Sequence, residues 1–437
     1  MKTTTTSQLS MRTGMSGLPL PTTVTTHQGK AHGLYNIAKS RRGVALLLIV
    51  SFTSLFYIFD AGPLIQSKIS SYDQFRAPVW PQLGGLDVPG TDIQSTAPLT
   101  PLGLEADRSF HLGSVSKAAY KAELEQFVQR AFPKWLQERA HASLELYLGD
   151  NTKALTLPEV PHKIYQTAKK DPRGDWKSST WRNIPGYTYW FFNDESADKW
   201  VRDVFGGTEM EKVWDIFGPG IKRSDLLRYL LVMTEGGIYS DMDTIRLKDL
   251  GQWGRGANKQ GPKSKGLPSV FVGIEADVGT RSDWHKWWPR PLQIVQWTFA
   301  AAPLHPILID TVRRVHHVTA VVEAGKAKNE TSDATKSKEH WVGGELLRND
   351  GTVSIMEWTG PGVFTDSVIR YLAAEHNITW PALKNLRKPL RIRDAVVLPV
   401  TGFSPGVGMF GAGESSNEQA MVQHLFAGSW KSGLHNE

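Results

Sequence analysis

Two aspartates one residue apart, Asp241 and Asp243, close the segment Gly236-Gly237-Ile238-Tyr239-Ser240-Asp241-Met242-Asp243. In extended backbone, residues two apart face the same side, so both carboxylates can reach one hard divalent cation. A cation with few protein carboxylates and open positions can hold a diphosphate. As a Lewis acid it neutralises charge growing on a departing nucleoside diphosphate. An Asp-x-Asp pair alone is common in long chains, and its surroundings give it weight. Asp225 and Arg228 stand three apart in Ser224-Asp225-Leu226-Leu227-Arg228-Tyr229, so on a helix they share a face. Arg228 can bind a phosphate or a sugar hydroxyl, and Asp225 can accept hydrogen bonds from sugar hydroxyls. The same two residues also suit a plain surface ion pair, contributing roughly a few tenths of a kcal/mol. Both readings stay open at this level.

The elements that would position these groups alternate short strands with helices. His162 to Thr167 reads as a strand, and Tyr187 to Phe192 as a second, opened by the turn Asn183-Ile184-Pro185-Gly186. Asn193 or Asp194 caps a helix through Ser196 to Phe205. Thr208 to Phe217 is another helix. Ser224 to Thr234 is a third, stopped by Gly236 and Gly237. Ile238 to Ser240 and Val270 to Ile274 read as further strands. The alternation implies a mostly parallel α/β sheet with helices on both faces, whose ligands bind at the carboxyl ends of strands.

Ahead of this region the chain changes character. Residues 1–42, rich in Thr, Ser, Gly and Pro, read as a disordered tail. Gly43 to Phe59 carries no charge, and counting on to Ile65 gives roughly 20 residues, enough to cross a bilayer. Lys39, Arg41 and Arg42 precede it. By the positive-inside rule they stay cytoplasmic, which makes 43–65 a type II signal anchor and the rest luminal. Residues 66–155 read as a stem. Within it, apolar residues at helical spacing (Leu124, Phe127, Val128, Ala131, Trp135) mark one or two amphipathic helices broken at Pro133, either the end of the stem or the first layer of a catalytic domain. Residues 156–437 form that domain. Gly254 to Gly266 and Glu323 to His340 read as inserted polar loops. The 40% hydrophobic content assures a core. Cysteine is absent, which excludes disulfides and thiolate metal sites. The formal charge of +7 resides largely in the tail and the two loops; with no arginine-rich helix and no nucleic-acid module, nucleic acid is not an expected partner.

The segment Ser-Asp-Leu-Leu-Arg-Tyr…Gly-Gly-Ile-Tyr-Ser-Asp-Met-Asp resembles the DXD region of glycosyltransferase family 32, enzymes of the Rossmann-like GT-A fold. The resemblance extends through His162-Lys163-Ile164-Tyr165-Gln166-Thr167, Phe192-Asn193-Asp194, Val272-Gly273-Ile274-Glu275-Ala276-Asp277, Thr359-Gly360-Pro361-Gly362 and His424-Leu425-Phe426-Ala427-Gly428-Ser429-Trp430. The Gly-Ile-Glu-Ala-Asp and Phe-Ala-Gly-Ser-Trp segments look like the fungal initiation-specific α-1,6-mannosyltransferase subgroup.

That resemblance implies roles. Asp241 and Asp243 would meet Mn²⁺ and the diphosphate, with His424 as a third ligand. Asp225 and Arg228 would hold the donor sugar. Gln166 and Thr167 would lie near the nucleotide, and Ser429 and Trp430 would close over the diphosphate. It implies retaining mannosyl transfer from GDP-mannose to an N-glycan or mannan acceptor in the Golgi membrane, alongside other mannosyltransferase subunits. An inositol-sphingolipid acceptor, or a non-catalytic subunit of a mannan complex, is the alternative. Glu275 and Asp277 follow a strand and can face the acceptor; as a helix cap or surface carboxylates they would not. The cluster Trp284, His285, Trp287 and Trp288 suits a sugar platform or core packing equally.

Overall fold

The computed structural model describes residues 109–149, 156–171, 175–260, 266–279, 284, 288–329, 340–342, 345–347 and 355–426. All belong to the unit Phe75–Glu437. The expected tail 1–42, anchor 43–65, stem to residue 108, His285, Trp287, Ser429 and Trp430 lie outside the described residues. Among the described residues, no helix is long and apolar enough to cross a membrane.

Two helices open the described region. In α1 (Lys117–Ala131) the Ser116 hydroxyl accepts the Ala119 N–H. Then α2 (Lys134–Leu148) starts immediately after Pro133, whose ring cannot continue α1. Tyr120, Leu124, Leu136 and Leu144 are fully buried in the same apolar cluster as Leu226, Tyr229 and Phe364. Of the two placements open for these helices, the shared cluster favours a layer of the main core.

Next come β1 (Lys163–Thr167), α3 (Trp176–Arg182), β2 (Thr188–Phe192), α4 (Asp194–Phe205), α5 (Glu209–Ile216), α6 (Ile221–Glu235) and β3 (Gly237–Ser240). Of the two expected caps, Asn193 starts α4, in a capping box with Ser196. Asp225 through Thr234 are buried on every side of α6. A helix apolar around most of its circumference is a core helix, so the surface-helix reading of Asp225 and Arg228 is overturned.

The chain continues through β4 (Thr244–Arg246), β5 (Asn258–Gln260), β6 (Val270–Asp277), β7 (Leu292–Ile294), β8 (Thr298–Ala301), α7 (Pro306–Asn329), β9 (His340–Val342), β10 (Glu345–Leu347), α8 (Ile355–Trp358), α9 (Pro361–His376), β11 (Leu390–Ile392), β12 (Ala395–Leu398), α10 (Val400–Phe403) and β13 (Val422–His424). Three expectations change here. Glu275 and Asp277 lie within the last three residues of β6 rather than following a strand that ends at Ile274. Part of the expected loop Gly254 to Gly266 is β5, which pairs parallel with β11. The expected loop from Glu323 is still helix α7 as far as Asn329.

The central sheet runs β2-β1-β3-β8-β6-β12-β11-β5, with β7 added against β6. It is mixed: β1 pairs parallel with β2 and β3, and β6 with β12, while β8 runs antiparallel between β3 and β6. One apolar cluster lies against each face, and the larger contains α1, α2, α6, α7 and α9. The carboxyl ends of β1, β3 and β6 share one edge, where open α/β sheets hold ligands. A separate ladder pairs β13 with β4 and sets His424 opposite Thr244.

Candidate active site

Helix α6 passes into β3 without a loop. Gly236 and Gly237 adopt φ of 65° and 121°, values disfavoured for side-chain-bearing residues. A Cβ on Gly236 would sit 2.6 Å from Pro303 and 2.8 Å from Pro161, and one on Gly237 2.6 Å from the Lys163 carbonyl. The sharp reversal brings Asp225 and Arg228, one turn into α6, beside Asp241 at the end of β3.

One end of the site is a buried pair. Arg228 Nη2 lies 2.8 Å from Asp225 and 3.4 Å from Asp241, and the two paired side chains are 2% and 1% exposed. Asp225 also accepts the Thr359 hydroxyl at 2.8 Å and the Gln296 amide at 3.4 Å. Burial, together with the charge of Asp241, pushes Asp225 up to about 6, against the pull of Arg228, Thr359 and Gln296. Burial works against the Arg228 charge, but Asp241, Tyr239 and Asp225 outweigh it and hold the guanidinium protonated. Tyr239 sits between the two ends: its hydroxyl donates to Asp241 at 2.7 Å and its ring faces Arg228 at 4.9 Å.

The other end is a set of three side chains that could hold a metal ion. Single ligand atoms of Asp241, Asp243 and His424 all lie within 4.8 Å of one another, and His424 Nε2 is 3.1 Å from Asp243. The Phe426 N–H donates to His424 Nδ1 at 3.2 Å. Trp297 stacks on the imidazole at 4.2 Å, and Phe426 meets it edge-on at 4.2 Å. An octahedral ion with bonds of about 2 Å spaces its ligand atoms about 3–4 Å apart, and imidazole with two carboxylates suits Mn²⁺ among divalent ions. The residues fit such an ion with little movement.

The other expected residues take varied places. Gln166 is fully buried. Its amide donates to the Asp241 carbonyl at 3.1 Å and accepts the Tyr189 hydroxyl at 3.1 Å, so it braces the aspartate from beneath. The Thr167 hydroxyl meets Ser224 at 3.1 Å and Tyr239 at 3.3 Å. Glu275 accepts the Gln293 amide at 2.7 Å; burial raises its pKa, and His424 is near enough to oppose that rise. Asp277 accepts the Asn385 N–H at 2.6 Å, which ties it to a turn. Trp288 packs edge-on against Phe410 at 5.7 Å. Sequence reasoning missed Gln296, Trp297 and Tyr239, and gave Thr359 no role. The available signal for Gln296 was a polar side chain, with Gln293 and Thr298, inside the otherwise apolar run Leu292 to Ala302.

Residues 175–260 match the family described as the glycosyltransferase sugar-binding region containing a DXD motif. Over 282 residues the chain is 37% identical to the initiation-specific alpha-1,6-mannosyltransferase of Schizosaccharomyces pombe, a match covering 62% of this chain and 64% of that protein. The Candida albicans protein of the same name is 31% identical over 297 residues, 62% of this chain and 72% of that one. Among solved structures, the PaToxG glycosyltransferase aligns over 60% of this chain and 80% of that chain at 15% identity, with a TM-score of 0.27, too low to bear on fold or function. A buried Asp225–Arg228 pair next to an Asp241, Asp243 and His424 cluster thus accompanies similarity over most of a relative's length, and the chain belongs to the DXD glycosyltransferase family that includes the initiation-specific alpha-1,6-mannosyltransferases.

Proposed function

We propose that this chain is a retaining mannosyltransferase of GT-A type that moves mannose from GDP-mannose, with Mn²⁺, onto the mannose-rich core of N-glycans in α-1,6 linkage. The observation that carries this reading is the convergence of Asp241, Asp243 and His424 within 4.8 Å, directly beside the Asp225–Arg228 pair. The names of the relatives support the sugar and the linkage.

The ion would be held by Asp241, Asp243 and His424, and when bound supplies Lewis-acid neutralisation of a diphosphate. The chain's own residues do the rest. Arg228 offers a fixed cation at the sugar end. Asp225, tied by Thr359 and Gln296, presents an acceptor to sugar hydroxyls. Glu275, at the end of β6, belongs to the acceptor side in this reading, and Asp277 shapes the turn at Asn385 beside it. Retention follows from same-face attack, since no carboxylate among the described residues stands out as a nucleophile. Gln166 and Thr167 support the nucleotide end, and Ser429 and Trp430 act over the diphosphate. The membrane anchor at 43–65, a Golgi location and a luminal domain complete the proposal, supported by the charge pattern around residues 39–60.

The test incubates the full-length chain with GDP-mannose, Mn²⁺ and a mannose-rich N-glycan, then digests the product with linkage-specific mannosidases. The expected product resists α-1,2 and α-1,3 enzymes and yields to an α-1,6 enzyme. Mannosylation of an inositol sphingolipid with none of the glycan would replace the acceptor assignment.

A further inference from the structure

From residue 291 to 302 every side chain is buried except that of Gln296. This stretch joins β7 to β8 through Val295, Gln296 and Trp297. Gln296 and Trp297 form a bend between the two strands, and their side chains leave it in different directions. Val295 and Trp297 belong to the apolar cluster on one face of the sheet. Gln296 turns toward α6, whose Tyr229 lies in the cluster on the other face.

Gln296 reaches the sugar-side residues with both ends of its amide. Its Oε1 accepts from Arg228 Nη1 at 2.7 Å and from the Tyr229 hydroxyl at 3.0 Å, and its Nε2 donates to Asp225 at 3.4 Å. A guanidinium can only donate, so the amide has one orientation. Trp297 reaches the metal-side residues. Its carbonyl accepts the Asp241 N–H at 2.9 Å, and its ring lies nearly parallel to His424, 4.2 Å away at 23°. Neighbours of this kind orient ligands, and their loss typically costs 10–100-fold in metal affinity.

We propose that Gln296-Trp297 is the positioning unit of the site, with Gln296 holding the Asp225–Arg228 pair for the donor sugar and Trp297 holding His424 for the metal. The assignment of a sugar side and a metal side rests on the function proposed above. Neither residue is asked to react; each acts through another.

The experiment uses Gln296→Leu and Trp297→Leu in the full-length chain, with two calorimetric titrations. One measures the Mn²⁺ concentration needed for half-maximal GDP binding, and the other the ratio of GDP-mannose to GDP affinity at saturating Mn²⁺. Trp297→Leu should raise the Mn²⁺ requirement about tenfold or more and leave the sugar ratio within about twofold. Gln296→Leu should reduce the sugar ratio about tenfold, the scale of one charged hydrogen bond, and leave the Mn²⁺ requirement alone. If both variants shift both readouts together, or neither shifts either, the proposal is overturned. Should a leucine variant fail to fold, Trp297→Phe and Gln296→Asn should move the same readouts in the same directions by less; no shift overturns the proposal equally. If the wild type does not prefer GDP-mannose to GDP, the donor assignment under the proposed function fails. The Trp297 arm then still decides the metal half, and the Gln296 arm is run with whichever nucleotide sugar the wild type prefers.

Discussion

Two groups of buried charge in this molecule use the same residue types and differ in how completely they are paired. Behind the site, Arg290 donates to both oxygens of Asp366 and both of Glu357 at 2.7–2.8 Å, and to the Pro289 carbonyl. Asp310 is surrounded by Arg313, Arg314 and Arg370. These cations outweigh burial and hold Asp366 and Asp310 below the usual carboxylate range. At the site, Asp225 and Asp241 share one guanidinium, Arg228, whose buried Nε has no partner among the described residues. There burial wins and Asp225 rises to about 6. Satisfied charge holds the fold together. Under the proposed function, the less completely paired cluster is the one that a divalent cation and a sugar donor would complete.

The sharpest way to test that contrast is to remove one carboxylate from each group. Asp310→Ala removes the buried carboxylate shared by Arg313, Arg314 and Arg370 and should cost about 3–5 kcal/mol of stability, read as a fall in urea midpoint. Asp241→Ala or Asp243→Ala should leave the midpoint within about 1 kcal/mol yet lower transfer by about 10³-fold or more, roughly 4 kcal/mol of transition-state stabilisation. Equal losses of stability in both groups would erase the distinction.

Acid gives a second comparison, because the two groups titrate in opposite senses. Burial and the nearby Arg290 cation bring His111 down to about 4, and burial also lowers His305 beside Asp394. With folded values below the unfolded value of about 6.5, the unfolded chain binds these protons first. Stability should therefore be full above about pH 6.5 and fall as pH approaches 4, by about 3 kcal/mol from His111. Asp225, raised in the fold, works the other way: its ionisation costs stability as pH climbs from about 4 through 6. Urea midpoints measured between pH 8 and 4 should decline, and the decline should shrink in His111→Gln; a flat profile would mean that the histidines are not buried neutral.

The smallest effect should come from Arg228→Lys. The charge remains but the fork does not, so contacts to Asp225, Asp241 and Gln296 cannot all be kept. We expect kcat/KM for the donor to fall by about 1.5–3 kcal/mol, with melting little changed. A large melting loss with normal kinetics would move this pair into the structural group.

Sequence patterning revealed the elements around the site because their signals are local. The Gly-Gly stop after an apolar helix, the cap at Asn193 or Asp194 and the strand run His162 to Thr167 each lie within one or two turns of chain. The burial of Asp225 and Arg228 was not legible, since a charged pair three apart reads identically on an exposed helix and on one enclosed by α7, β3 and β8. Thr359 stands 134 residues from Asp225 and Gln296 stands 68 from Arg228; contacts closed over such distances leave no periodic trace. The continuation of β6 to Asp277 was hidden for a related reason: charged strand ends look like loop until the pairing with β7 through Leu292 and Gln293 is known.

The loop-free passage from α6 to β3 makes the chain a ruler. Sixteen positions separate Asp225 from Asp241, and none of them is slack: helix turns, two glycines wedged against Pro161, Pro303 and Lys163, and paired strand account for the length. One residue inserted after Gly237 would invert the strand beyond it, sending Tyr239 to the opposite face from Arg228. A lineage could not adjust this part of the site by small steps of length. Diversification among such chains would have to enter through substitutions along the ruler, or through segments such as 254–266 and 323–340, where extra residues do not alter its gauge.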